Sequence, residues 1–210
     1  MTLQTRAQEI KARLLAHFEN PTTELNYSNV YELLVAVILS AQCTDKRVNM
    51  ITPALFAAYP TLQSLASASL ETLKGYIQSI SYPNNKAKHL INMAQMVCQR
   101  FHGEIPSTQA ELKSLPGVGQ KSANVVLSVF FEQNYLAVDT HVFRVTHRLG
   151  LSNAKTPLQT EQEISALFQE DLAQLHHAFI FLGRTLCKAR KPRCAVCFLA
   201  DICENKNIEL

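Results

Sequence analysis

The chain has few glycines, no long apolar run, and no acidic residue between Asp171 and Asp201. Each shortage excludes something. The longest apolar run, Leu33 to Leu39, falls far short of the ~20 residues a membrane-spanning helix needs. Met1 to Asn20 is polar and helical in pattern, with Leu14, Leu15 and Phe18 on one face, and does not read as a signal peptide. The expectation is a soluble, intracellular, cytoplasmic protein, in which disulfides are not expected. Six glycines in 210 residues, and no two-residue turn between alternating apolar strands, exclude a hairpin-rich β fold. No low-complexity linker or internal repeat stands out, so one domain or two small ones are expected. The net charge is only +3. The acid-free stretch nevertheless gathers Arg184, Lys188, Arg190, Lys191 and Arg193, a basic face suited to solvent or to an anionic partner.

Within that stretch begins a run of four cysteines, Cys187, Cys194, Cys197 and Cys203, spaced C-x6-C-x2-C-x5-C. Four thiolates within 17 residues can close around one metal centre, either an iron–sulfur cluster or a structural zinc. The first two cysteines bracket Lys188, Arg190, Lys191 and Arg193, so a metal-stapled loop would display four positive charges. Nucleic acid is the first candidate for their partner. Cys43 and Cys98 lie outside the run and are expected to be ordinary buried thiols.

The rest of the chain reads as helix, predicting an all-α fold, with 47% hydrophobic residues to fill a core. Asn29 and Glu32 resemble a capping box opening an apolar helix over Val30 to Ala41, expected at the centre of a core. Asp45 is the expected cap of a helix over Lys46 to Ala58. Further helices are expected over Leu62 to Ile77, Asn85 to Phe101, Gln109 to Ser114, Gln120 to Phe131, Thr140 to Leu149, Thr160 to Phe168 and His176 to Cys187. Thr108 and Glu111 suggest a second capping box, and Gly150 a C-terminal stop.

Between two of these helices stands Leu115-Pro116-Gly117-Val118-Gly119-Gln120-Lys121-Ser122-Ala123. Gly117 and Gly119 permit a tight turn and the close approach of another backbone. The first N–H groups of the next helix then point outward, which suits a phosphate. Lys121 falls in the first turn of that helix. An ordinary lysine, with a pKa of ~10.4, is protonated at neutral pH and is no nucleophile. A helix N-terminus and partial burial both disfavour the charge and favour a neutral amine that can form a Schiff base. From its position alone, a surface lysine contacting phosphate is the favoured reading. Asp139 precedes the helix from Thr140, an N-cap position, and a carboxylate there can also take a proton or stabilise positive charge.

Four segments in order, Leu39 to Asp45, Leu115 to Ala123, Val138 to Arg144 and the cysteine run, resemble the helix-hairpin-helix DNA glycosylases, and the resemblance runs from about Thr22 to Cys203. It implies a two-lobed all-α architecture with a C-terminal [4Fe–4S] loop ligated by Cys187, Cys194, Cys197 and Cys203. Residues 22–134 would form a helical domain carrying the hairpin, and residues 1–21 and 135–210 the cluster domain, with Lys121 and Asp139 as the catalytic pair facing each other. The implied activity is excision of oxidised pyrimidines from double-stranded DNA, followed by cleavage at the abasic site, by a monomer acting away from membranes. Gln42 matches the residue that fills the gap left by the extruded nucleotide. Gly117, Val118, Gly119, Lys188, Arg190, Lys191 and Arg193 would contact DNA. One segment departs from the family pattern: Ser81 and Tyr82 stand where relatives often carry a glycine and a bulky apolar wedge, making Tyr82 the second expected wedge.

Overall fold

The computed structural model describes residues 1–205, and among them every regular element is helical. Eleven α-helices follow in order: α1 Leu3–His17, α2 Val30–Ser40, α3 Asp45–Ala58, α4 Leu62–Ala66, α5 Leu70–Ile77, α6 Pro83–Arg100, α7 Gln109–Ser114, α8 Gln120–Val129, α9 Thr140–Arg148, α10 Pro157–Phe168 and α11 Leu172–Thr185. Two short 3₁₀ turns, Cys194–Val196 and Ala200–Ile202, follow within the cysteine segment. None of the described helices is long and apolar enough to cross a membrane.

The chain divides into two compact units, one from Glu24 to Phe131, the other from Met1–Thr23 together with the chain from Glu132 onward. The first is built around α2, whose Leu33 to Leu39 are all buried beneath α3, α6 and α8. Burial of each such leucine or isoleucine is worth about 1.5–3 kcal/mol relative to exposure, so α2 anchors this unit. The second unit packs α9 against α11, and α1 against α10 and α11, around Ile10, Leu14, Val142, Val145 and Phe179.

Local chemistry explains where the elements differ from the sequence-based expectation. The helix expected over Leu62 to Ile77 is two helices. The Ser69 hydroxyl accepts from the Thr72 N–H at 3.1 Å and opens α5, competing with continuation of α4. Thr44, not Asp45, caps α3, accepting from the Arg47 N–H at 3.3 Å. Asp45 lies in the first turn, where its charge suits the helix dipole. The cap of α2 is shared: Asn29 accepts from the Glu32 N–H at 3.0 Å, but Glu32 reaches back to the N–H of Ser28 at 2.7 Å. Helices α6 and α10 begin earlier than expected, each with a proline at its start, where a missing N–H costs nothing. Gly150, with φ +69°, follows α9 as the anticipated stop.

Candidate functional site

The hairpin between α7 and α8 is closed by the Val118 N–H donating to the Leu115 carbonyl at 3.1 Å. The Gln109 amide donates to Asn124 Oδ1 at 2.6 Å, tying the two helices together through a fully buried asparagine. The two glycines do different work. Gly117 has φ +82°, and a Cβ there would stand 2.9 Å from Cβ of His89 on α6. Gly119 has φ −94°, and a Cβ there would meet nothing within 4 Å. Only Gly117 is needed for the turn, which narrows the sequence-based expectation. Gly119 is the N-cap of α8, brings no side chain to cap it, and leaves the surface over the helix start open. Lys121 is the second residue of α8 and is half-buried.

Asp139, in the other unit, is the N-cap of α9. Its Oδ1 accepts from the N–H groups of His141 and Val142, both at 2.8 Å, while Oδ2 takes no part in the cap. Capping and chemistry can therefore use different oxygens of one carboxylate.

Gln42 and Tyr82 are both exposed, and both have left-handed backbones, with φ of 56° and 57°. The structure brings their loops together. The Ser81 hydroxyl donates to the Gln42 carbonyl at 2.8 Å, and Lys86 Nζ donates to the carbonyls of Leu39 at 2.8 Å and Ala41 at 2.6 Å. Burial pushes the Lys86 amine below the usual lysine range. Neither contact was legible in the sequence, because Lys86 and Leu39 are 47 residues apart.

The four cysteines of the C-terminal run, all partly buried, line one recess with Arg148 and Pro192. Among the described residues, no three His, Cys, Asp or Glu side chains meet closely enough to hold a single ion. The thiols surround a space instead, as a polynuclear centre requires when each thiolate binds a different iron. Burial pushes the Cys197 and Cys203 thiols up, and the neighbouring cysteines add to it, so a cationic centre would relieve a real cost. The residues thus fit an iron–sulfur cluster. Two arginines of α9 brace this segment. Arg144 donates to the Cys187 and Gly183 carbonyls at 3.0–3.1 Å, and Arg148 donates to the Lys188 and Ala189 carbonyls at 2.7 and 3.1 Å. Sequence reasoning passed over both bracing roles, although Arg144 sits in one of the resemblance segments. Lys188, Arg190, Lys191 and Arg193 are all exposed. Cys43 and Cys98 are only partly buried, which corrects the expectation of core thiols.

The HhH-GPD superfamily of base excision DNA repair proteins matches residues 35–170, and the iron–sulfur binding domain of endonuclease III matches residues 187–203. The chain is 41% identical to endonuclease III of Haemophilus influenzae over 97% of both chains. It is 46% identical to endonuclease III of Rickettsia prowazekii over 88% of this chain and 87% of that protein. The chain belongs to the endonuclease III family. Its fold agrees: a trapped endonuclease III–DNA covalent intermediate superposes with a TM-score of 0.93 at 39% identity, covering 98% of this chain and 97% of that one. As an endonuclease III family member the protein is a DNA glycosylase with AP lyase activity, binds DNA and carries a [4Fe–4S] cluster. The span matched to the iron–sulfur domain begins at Cys187 and ends at Cys203, the outer two of the four thiols around the recess.

Proposed function

We propose that this chain excises oxidised pyrimidines from duplex DNA and cleaves the strand 3′ to the resulting abasic site, with Lys121 as nucleophile and Asp139 as its acid–base partner. The observation that carries the reading is the position of Lys121, half-buried in the first turn of α8 directly after the glycine hairpin. There the positive end of the helix opposes a further charge, and the turn that would hold a phosphate also delivers the amine to the adjoining sugar.

The neutral amine of Lys121 attacks C1′ of the damaged nucleotide, and the C1′–N bond breaks as the base leaves with a proton. The C1′–O4′ bond then breaks, O4′ taking a proton, and the sugar opens to a protonated imine on Nζ. That cation acidifies the C2′ proton, which is removed, and the electron pair expels the 3′ phosphate by β-elimination. Hydrolysis of the imine returns the lysine. The Asp139 oxygen outside the helix cap is suited to accept a proton or to stabilise positive charge on the sugar. Extrusion of the nucleotide costs a few kcal/mol, and the exposed side chains of Gln42 and Tyr82 would fill the gap it leaves.

The backbone of Gly117, Val118 and Gly119 would hold phosphates, as would Lys188, Arg190, Lys191 and Arg193. Cys187, Cys194, Cys197 and Cys203 would hold the cluster, which when bound would cross-link the segment at four points, two of them bracketing the basic loop.

Borohydride reduction of the reacting complex tests the assignment. Wild-type protein should be trapped covalently on duplexes carrying one oxidised pyrimidine. Lys121→Gln should lose both trapping and strand cleavage while keeping DNA affinity. Undiminished trapping in that variant, or excision confined to undamaged mispaired bases, would overturn it.

A further inference from the structure

We infer that Gln42 and Tyr82 act as one preformed two-pronged wedge, clamped by Ser81 and Lys86, and that Ser81 is a positioning residue for the double-strand reaction. The inference rests on the proposed insertion of these two side chains into the duplex. It adds how they are held, and why a serine stands at position 81.

Three side-chain bonds join the two loops, and one backbone bond at the start of α6 continues from them to Tyr82. The Ser81 hydroxyl reaches the Gln42 carbonyl at 2.8 Å. The Lys86 side chain caps the end of α2 through the carbonyls of Leu39 and Ala41, immediately before Gln42. The backbone N–H of the same lysine donates to the Tyr82 carbonyl at 3.1 Å. Lys86 thus ties the end of α2, next to Gln42, to the start of α6, next to Tyr82, and it is buried with no carboxylate paired to it.

The backbone points the same way. Left-handed conformations are unfavourable for residues other than glycine and persist where surrounding structure enforces them. Both prongs adopt one. Tyr82 also precedes Pro83, which further narrows its choices, and no side chain caps α6 at this point. Yet the side chain of Tyr82 is 61% exposed and packs into no core. A large aromatic held in an unfavourable backbone and presented to solvent suits stacking against a base. Clamping the prongs before DNA arrives removes the ordering cost at the moment of insertion. A serine at position 81 supplies a hydroxyl to this clamp that a glycine could not.

The test compares single-turnover cleavage at one abasic site in a duplex with cleavage at the same site in a single-stranded oligonucleotide, which has no gap to fill. Ser81→Ala should slow the duplex reaction about five-fold, the worth of one ordinary hydrogen bond, and leave the single-strand rate unchanged. Ser81→Thr, which keeps the hydroxyl, should restore the duplex rate. In a Gln42→Ala/Tyr82→Ala background, Ser81→Ala should have no further effect. Equal slowing of both substrates, no effect on either, or the full loss retained in that background would each overturn the clamp. If Gln42→Ala/Tyr82→Ala itself leaves the duplex-to-single-strand ratio unchanged, then the wedge reading fails and this inference falls with it.

Discussion

The guanidinium of Arg148 donates to Sγ of Cys187 across 3.6 Å. The same nitrogen donates to the Lys188 carbonyl at 2.7 Å, so the last turn of α9 grips the cysteine segment at its first thiol and at the start of the basic loop. Cys203 lies close at the other end, its sulfur 3.2 Å from the Arg148 carbonyl.

Arg148→Ala should therefore loosen the cluster segment more than the rest of its unit. Loss of charge-assisted bonds at a partly exposed site is expected to cost about 1–2 kcal/mol. Denaturant unfolding and iron content, measured together, should show a lower midpoint and faster iron loss. An unchanged midpoint with full iron retention would show that the grip contributes nothing.

Asp139 separates cap from chemistry by substitution. Asparagine caps about as well as aspartate, so Asp139→Asn should unfold within about 0.5 kcal/mol of wild type. Base removal should nevertheless slow by orders of magnitude. Asp139→Ala should lose about 1 kcal/mol of stability as well. A variant Asp139→Asn that keeps its excision rate would reduce this residue to a cap.

Gly117→Ala should damage the hairpin, since the backbone is left-handed and the new methyl would press on His89. A cost of about 1–3 kcal/mol is expected from the backbone alone. Gly119→Ala should fold normally, because its backbone is ordinary and the space is open. Any loss of DNA affinity in Gly119→Ala then reports close approach of a phosphate backbone, read by titration against a fluorescent duplex.

Lys191 sits at φ +51° between two of the cysteines, exposed to solvent. Lys191→Ala should weaken binding to damaged and undamaged duplexes alike, and lower the slope of log affinity against log salt by about one unit. Lesion preference should stay constant. An unchanged slope with altered lesion choice would make this lysine a recognition residue.

Much of the molecule was legible before its structure. The all-helical character followed from the lack of hairpin turns, the few glycines and capping residues such as Asn29, and the bounds of α7 coincide with those expected. The errors cluster where serine, threonine or proline decides a helix end, as at Ser69, Thr44 and Pro157. There a single side-chain bond or a missing N–H outweighs the hydrophobic pattern on which the sequence reading rests. The cysteine spacing and the hairpin motif are local in sequence, so their chemistry could be read from the residues at hand.

What the sequence by itself determined is therefore the class of protein, the cluster-forming run, the glycine hairpin and the residue types offered for chemistry. Only the tertiary structure decided which distant residues hold them. Arg144 and Arg148 reach a segment some 40 residues away, and Lys86 closes over a helix end 47 residues before it. The physical reason lies in the donors and acceptors. Backbone carbonyls accept these bonds, every residue has one, and so no pattern of side chains along the chain could mark which carbonyl a given lysine, serine or arginine would find.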